Sequence, residues 1–73
     1  MEKVDRRIQR THKALIDALV ALTLEKGYDA ITIRDIAERA DIAYSTFFRH
    51  YADKDELLLE VLKSAFHDFK LLI

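Results

Sequence analysis

The chain has 73 residues with a formal net charge of −1, so it forms one domain at most and lacks the basic excess of a general nucleic-acid binder. It has no cysteine, which excludes disulfides, thiolate metal sites and thiol catalysis. With one glycine, no proline and 51% hydrophobic residues, the composition favours helices, and we predict an all-α fold.

A first helix is predicted over residues 6–26, because apolar side chains recur at helical spacing and Gly27 supplies a left-handed stop. Its inward stripe is Ile8, Leu15, Ala18, Leu19 and Leu22. The charged N-terminus, and Asp17 within the apolar stretch of residues 14–24, argue against a signal peptide and a membrane span. We therefore expect a cytoplasmic protein with no membrane partner.

Positive charge gathers at the start of this helix. Residues 1–13 hold two acidic side chains, Glu2 and Asp5, against a larger basic set. That set is Lys3, Arg6, Arg7, Arg10 and Lys13. Because a helix dipole disfavours positive charge at the N-terminus, we take the three arginines of this basic arm as candidate contacts to a phosphate backbone. The alternative is a solvated arm.

Residues 32–51 have the spacing of two short helices joined by a tight turn. Thr32 is placed to cap a helix over residues 33–40, and Asp35 suits the positive end of that helix. Its apolar face is Ile33, Ile36, Ala37 and Ala40. Asp41 then stands at the turn, because Asp tolerates left-handed backbone better than most residues.

A second short helix is predicted over residues 44–50, with Phe47 and Tyr51 turned inward. Small Ala37 lets the two helices cross closely, as a helix-turn-helix requires. The predicted fold is therefore an all-α three-helix bundle containing a helix-turn-helix, followed by a long fourth helix. The side chains left free of the core are candidates for an outside contact: Ala43, Tyr44, Ser45, Thr46 and Arg49.

The fourth helix is predicted over residues 54–73, behind Asp53 as N-cap and Glu56 as its partner in a capping box. Its apolar stripe is wider than a three-helix core can cover, and the sequence stops without a cap. We predict that the chain is cut off within this helix. The alternatives are that the stripe packs on the first helix or that identical chains bury it together.

Several motifs occur here in the order of a known family. Residues 31–37 read Ile-Thr-Ile-Arg-Asp-Ile-Ala, and residues 40–42 read Ala-Asp-Ile where the family has Ala-Gly-Val. Residues 46–51 read Thr-Phe-Phe-Arg-His-Tyr against Thr-Leu-Tyr-x-His-Phe, and residues 53–57 read Asp-Lys-Asp-Glu-Leu against Ser-Lys-Glu-Glu-Leu. Over residues 15–62 the chain thus resembles the DNA-binding domain of the tetracycline-repressor (TetR) family of bacterial transcription regulators.

Some positions depart from the family pattern. Asp41 replaces the usual turn glycine, Ala43 a capping Ser, Phe48 a Tyr, and Thr23 a Phe. Because Phe48 has no hydroxyl, the resemblance places it at the DNA without the phosphate hydrogen bond of the family's Tyr.

The resemblance implies a DNA-binding bundle over residues 1–53 and a linking helix over residues 54–73 toward a C-terminal domain that is absent here. That domain would form the homodimer and bind a small-molecule effector. The implied function is a ligand-responsive repressor that binds double-stranded DNA as a dimer on a palindromic operator.

The start of the second motif helix enters the major groove in this arrangement, so Tyr44, Ser45 and Thr46 are placed to reach the DNA. Tyr44 offers a ring for a thymine methyl and a hydroxyl for a base or phosphate. Thr46 is better placed for a phosphate. The alternative for Tyr44 is a surface ring packed on Arg49.

Four other positions are candidate DNA contacts, and two of them have an alternative. Arg34 is a candidate for bidentate guanine contact, or pairs with Glu38 one turn on. Thr32 caps its helix while its N–H faces a phosphate. His50 holds a phosphate or is structural. Lys54 lies at a helix N-terminus that disfavours its charge, and a phosphate would resolve that conflict.

Other classes of function fit the sequence less well. The three histidines fall on separate predicted elements, and no carboxylate pair converges with them, so we predict neither an enzyme, a metal site nor a cofactor. The alternative function is a helix-turn-helix used for protein–protein interaction, with an aromatic docking patch made of Tyr44, Phe48 and Tyr51.

Overall fold

The computed structural model describes the backbone of residues 6–72 and the side chains of residues 8–67. Four α-helices follow in chain order: α1 (Arg6–Lys26), α2 (Ile33–Ala40), α3 (Tyr44–His50) and α4 (Lys54–Leu72). A 3-10 turn, Tyr28–Ala30, lies between α1 and α2, and no strand occurs in residues 6–72. The predicted fold class, an all-α bundle containing a helix-turn-helix and followed by a long helix, is confirmed. None of the described helices has the length and hydropathy of a membrane span.

The core forms where α1 packs against α2 and α4, with α3 held against α2. Its buried residues come from every helix: Leu15, Ala18, Leu19, Leu22, Ile31, Ile36, Ala37, Phe47, Tyr51 and Leu57. The positions on α1 repeat at the three- and four-residue spacing of one helix face. The prediction that Ile8 belongs to the inward stripe of α1 was wrong. Its side chain is 48% exposed, because the buried part of α1 begins two turns later, at Leu15.

Helix α4 is only partly covered. Leu57 is buried and Leu58 and Val61 pack against the core, whereas Leu62 and Phe66 are more than half exposed. The apolar stripe on α4 is therefore wider than the face that α1 covers, as its sequence indicated.

Local side-chain bonds define the start of α2. The Thr32 hydroxyl accepts a hydrogen bond from the Asp35 N–H (3.0 Å), and the Asp35 carboxylate accepts one from the Thr32 N–H (2.9 Å). This is a complete capping box, in which two N–H groups at the helix start find partners. The prediction that Thr32 caps α2 is confirmed.

The turn between α2 and α3 depends on Asp41, which adopts left-handed backbone at φ 58° and ψ 47°. This conformation directs the Ile42 N–H back to the Ala37 carbonyl (3.0 Å) and closes the end of α2. The predicted left-handed Asp at the turn is confirmed. Gly27 also has positive φ, 83°, but its ψ of 150° places it in an extended region that favours glycine, not in the predicted left-handed helical region.

The cap of α4 differs from the predicted capping box in one bond. Asp53 accepts a hydrogen bond from the Glu56 N–H (2.8 Å), as expected of an N-cap. The Glu56 carboxylate, however, accepts from the Ala52 N–H (3.0 Å), one residue before the cap. The Glu56 side chain therefore accepts from the N–H of Ala52 instead of from the N–H of Asp53.

Tyr51 combines a core ring with a hydroxyl that finds no hydrogen-bond partner among the groups that the structure describes. Burial, followed by the negative charges of Glu60 and Glu56, raises the pKa of this phenol. An unpaired buried hydroxyl costs free energy on folding, because it gives up its hydrogen bonds to water.

We therefore expect Tyr51→Phe to raise the free energy of unfolding by about 1 kcal/mol, because the ring stays and only the unpaired hydroxyl is removed. Urea unfolding followed by circular dichroism measures this. Tyr44→Phe, which removes a hydroxyl from a ring that is 50% exposed, is the control and should change the free energy by less than about 0.5 kcal/mol. A clear loss of stability in Tyr51→Phe would mean that the hydroxyl has a partner.

Candidate nucleic-acid interface

Helix α3 has one buried face and one exposed face. Phe47 is fully buried, whereas Tyr44 is 50% and Phe48 45% exposed. The rings of Tyr44 and Phe48 pack edge to face with centroids 5.3 Å apart, so they form one apolar patch on the outer side. Of the other predicted contacts, Ala43, Ser45 and Arg49 are exposed and Thr46 is half-buried.

Arg34 connects the start of α2 with this patch. Its guanidinium carbon lies 5.7 Å from the centroid of the Tyr44 ring, a cation–π distance. The predicted alternative, an ion pair with Glu38, is absent from the described side chains, in which α2 instead forms the pairs Asp35–Lys26 and Arg39–Glu25. The structure thus brings Arg34 and Tyr44 together, so the starts of both helices of the motif share one exposed surface.

Thr32 lies at the edge of the same surface, but its polar groups are engaged. Its N–H, which we predicted to face a phosphate, donates to the Asp35 carboxylate within the capping box. The hydrogen bond from Lys26 (2.8 Å), followed by the bond from the Thr32 N–H, lowers the pKa of Asp35 to about 2. Asp35 therefore stays ionised at neutral pH and keeps the helix start closed.

Lys54 is half-buried and bonded within the protein. Its ammonium donates to the carbonyls of Tyr28 (2.9 Å) and Ile31 (3.0 Å) and lies 4.4 Å from the centroid of the Tyr28 ring. The unfavourable helix dipole therefore does not require a phosphate, because two carbonyl oxygens and an aromatic face already meet this charge. The DNA contact of Lys54 stays a prediction. An ammonium has three donors, so one remains for a contact outside.

The Tyr28 hydroxyl completes this junction by donating to the Asp55 carboxylate. Burial, followed by the hydrogen bond to Asp55, raises the pKa of Tyr28 to about 12. Lys54 and Asp55 thus fasten the start of α4 to the 3-10 turn that leads into α2. The sequence did not predict this junction, which joins residues far apart in the chain.

His50 meets a partner that the sequence analysis did not find. Its Nδ1 lies 3.2 Å from Nε2 of His12 on α1, and the two rings pack edge to face with centroids 4.9 Å apart. Burial, followed by the positive charges of His12 and Arg49, lowers the pKa of His50. Placing the histidines on separate elements was correct, but those elements bring two of them into contact.

The basic arm is described only in part. Arg10 is exposed at the start of α1, whereas the side chains of Arg6 and Arg7 lie outside the described residues. Residues 8–67 contain no cluster of three or more side chains suited to a metal ion.

Similarity to known proteins fixes the family of the chain. Residues 15–61, more than half of the chain, match the sequence profile of the bacterial regulatory proteins of the tetR family. The chain belongs to the TetR family. It is 41% identical over 63 residues to the uncharacterized HTH-type transcriptional regulator YxbF of Bacillus subtilis (strain 168), covering 85% of this chain and 17% of that protein.

Two further relatives of this TetR-family chain are 41% identical to it over 54 residues, or 74% of its length. They are the HTH-type transcriptional repressor KstR of Rhodococcus jostii (strain RHA1) and the HTH-type transcriptional regulator TcmR of Streptomyces glaucescens. The matched residues make up 26% of KstR and 24% of TcmR, so the chain spans about a quarter or less of these relatives. No solved structure matches it with significance.

The internal bonds of Lys54 predict a loss of stability that a purely external contact would not give. Lys54→Met keeps the apolar stem and removes the ammonium, and we expect the free energy of unfolding to fall by about 1–2 kcal/mol, because two hydrogen bonds from a charged donor are lost. The same substitution at exposed Lys63, also on α4, is the control and should change the free energy by less than about 0.5 kcal/mol. Equal unfolding midpoints in urea for both variants would show that the junction contributes nothing.

Proposed function

We propose that this chain is the DNA-binding head of a helix-turn-helix transcription regulator, with α3 in the major groove. The observation that carries the proposal is the contact between Arg34 and Tyr44, because it joins the starts of α2 and α3 in one exposed surface. In helix-turn-helix proteins the recognition helix contacts base edges with its N-terminal residues, and Tyr44 begins α3.

The side chains on this surface suit different parts of the duplex. The Arg34 guanidinium fits the two acceptors of a guanine, and the rings of Tyr44 and Phe48 suit thymine methyl groups. Phe48 offers no hydroxyl to a phosphate, so its contact is apolar. We propose that Ser45 contacts base edges and that Thr46 contacts a phosphate.

Phosphate contacts are proposed around this centre. Arg49 and His50 lie toward the end of α3, Lys54 has one donor left, and Arg10 is exposed on the basic arm, to which Arg6 and Arg7 also belong. Such contacts fix the position of a protein on DNA without specifying sequence. Thr32 and Ala43 are proposed to lie against the DNA backbone. The Thr32 hydroxyl accepts a hydrogen bond in the capping box and keeps its own O–H for a phosphate, whereas Ala43 has no polar side chain and would contact the backbone through packing.

The regulatory role is proposed from the relatives. KstR is named a repressor, and the relatives are several times longer than this chain. We propose a cytoplasmic repressor without catalytic activity that dimerises and binds its effector through a further domain. Two heads would then occupy a palindromic operator with half-site centres about 34–36 Å apart, or a multiple of that distance.

The exposed pair of Tyr44 and Phe48 also supports a second function, although Tyr51, the third ring of the predicted docking patch, is buried in the core. Aromatic side chains are enriched at protein–protein interfaces, so this patch suits a protein partner as well as thymine methyl groups. Salt separates the two functions. Binding to several phosphates weakens steeply as salt rises, because counterions are released, whereas an aromatic interface is much less sensitive.

The direct test measures fluorescence anisotropy of labelled random duplexes at low and rising salt. We expect Arg34→Ala to weaken binding, because the guanidinium faces the duplex, and Arg39→Ala to leave it nearly unchanged, because Arg39 pairs with Glu25 (2.7 Å). Both residues lie on α2 and carry the same charge, so Arg39→Ala controls for net charge and helix content.

Tyr44→Ala extends this test to sequence preference. On a selected operator we expect a loss of about 1–3 kcal/mol at one base step, with little loss on random DNA. Equal losses for Arg34→Ala and Arg39→Ala, or binding that does not depend on salt, would contradict the proposed function.

A further inference from the structure

The contact between His12 and His50 joins α1 to the last residue of α3. Both imidazoles are half-buried, and the ring of Tyr51 lies beside them, 5.6 Å from His12 and 6.5 Å from His50 between centroids. His12 is absent from the proposed DNA contacts, and its only described polar partner is His50.

The chemistry of two facing imidazole nitrogens limits their protonation. A hydrogen bond between these nitrogens, which are 3.2 Å apart, requires that one of them carries a proton and the other a lone pair. When both rings are doubly protonated, both nitrogens are donors and the bond is lost. The contact therefore holds only while the pair carries no more than one extra proton.

The identity of the two nitrogens favours one arrangement of the neutral pair. If His12 donates from Nε2, then His50 accepts at Nδ1 and keeps its own proton on Nε2. Both rings are then in the Nε2–H tautomer, which free histidine prefers. The reverse arrangement puts both rings in the less favourable tautomer.

We propose that His12 is a positioning residue for His50: it donates to Nδ1 and so keeps the His50 proton on Nε2, where a DNA phosphate can accept it. This inference rests on the proposed function, because it assigns His50 to a phosphate. Without His12, the neutral His50 ring has no fixed tautomer, and in the Nδ1–H form its Nε2 lone pair repels a phosphate oxygen.

Burial and nearby positive charge disfavour the protonated form of His50. Arg49 on α3 acts on His50 with positive charge, as does His12 on α1 when it is protonated, whereas the carboxylates of Glu56 and Glu60 on α4 act on Tyr51. The pKa of His50 is therefore below its ordinary value, chiefly through burial. Since the unfolded chain takes up this proton first as pH falls through about 6.5, acidification below that pH lowers the free energy of unfolding.

The first arm of the test uses the chain without DNA. Long-range ¹H–¹⁵N spectra at pH 8 report the tautomer of each histidine, with exposed His67 as internal reference. We expect the Nε2–H tautomer for His50 in the natural chain, a mixture of tautomers in His12→Leu, and restoration in His12→Gln, whose amide N–H can donate to Nδ1. The Nδ1–H tautomer in the natural chain, or no change in His12→Leu, would overturn the proposal.

The second arm measures the affinity of the same variants for random duplex DNA between pH 6 and 8. At pH 8 we expect the dissociation constant of His12→Leu to be about fivefold larger than that of the natural chain, a change typical of one hydrogen bond. We expect His12→Gln to bind with near-natural affinity. As pH falls and His50 becomes protonated, the difference shrinks, because a protonated ring carries a proton on both nitrogens whatever its partner.

The two arms of the test distinguish a failure of the proposed function from a failure of the positioning role of His12. If the natural chain does not bind DNA at low salt, the proposed function fails, and the tautomer spectra still decide whether His12 orders His50. If DNA binds but His12→Leu and His12→Gln bind equally at pH 8, the positioning role is wrong while the proposed function stands.

Discussion

The recognition surface depends on the burial of one aromatic ring. Helix α3 has seven residues, and its N-cap, Ala43, makes no side-chain cap bond. Helices of this length are not stable in water on their own. What holds α3 in place is Phe47, which is fully buried in the core, together with Tyr51 directly after the helix. Because these inward side chains provide the stability, the outer face of α3 is free to carry Tyr44, Phe48 and Arg49.

The starts of α2 and α4 are held together by a second set of contacts. Lys54 binds the carbonyls of Tyr28 and Ile31, and the residue after Ile31 is Thr32, the N-cap of α2. A movement of α4 relative to the bundle must therefore break or carry along the turn that leads into α2. Helix α4 is thus bonded to the region proposed to contact DNA.

Local structure followed from the sequence because its causes are local. Thr32 caps a helix and Asp41 adopts left-handed backbone for reasons that lie within a few residues of each. The contacts that sequence reasoning missed join distant positions: His12 to His50 across 38 residues, and Lys54 to Tyr28 across 26. Only the packing of α1, α3 and α4 brings these groups together, and no spacing rule predicts which polar side chains then meet.

The same distinction applies to the candidate site. The exposure of Tyr44 and Ser45 follows from helical periodicity, and the structure shows them at the surface. For Lys54, the sequence shows a charge at a helix start but not the carbonyl oxygens that tertiary packing supplies. The partner of Arg34 was likewise sought within its own helix, whereas it lies on the next one.

The central claim is that α3 and the helix starts around it form the DNA-binding surface. Its most direct test is a ¹H–¹⁵N NMR titration of the chain with a random duplex at low salt. We expect the amide shifts to concentrate in residues 32–34 and 43–50 and at Lys54, and to fade as salt is added. Shifts centred on the exposed face of α4, around Leu59, Leu62 and Phe66, or shifts that do not respond to salt, would contradict it.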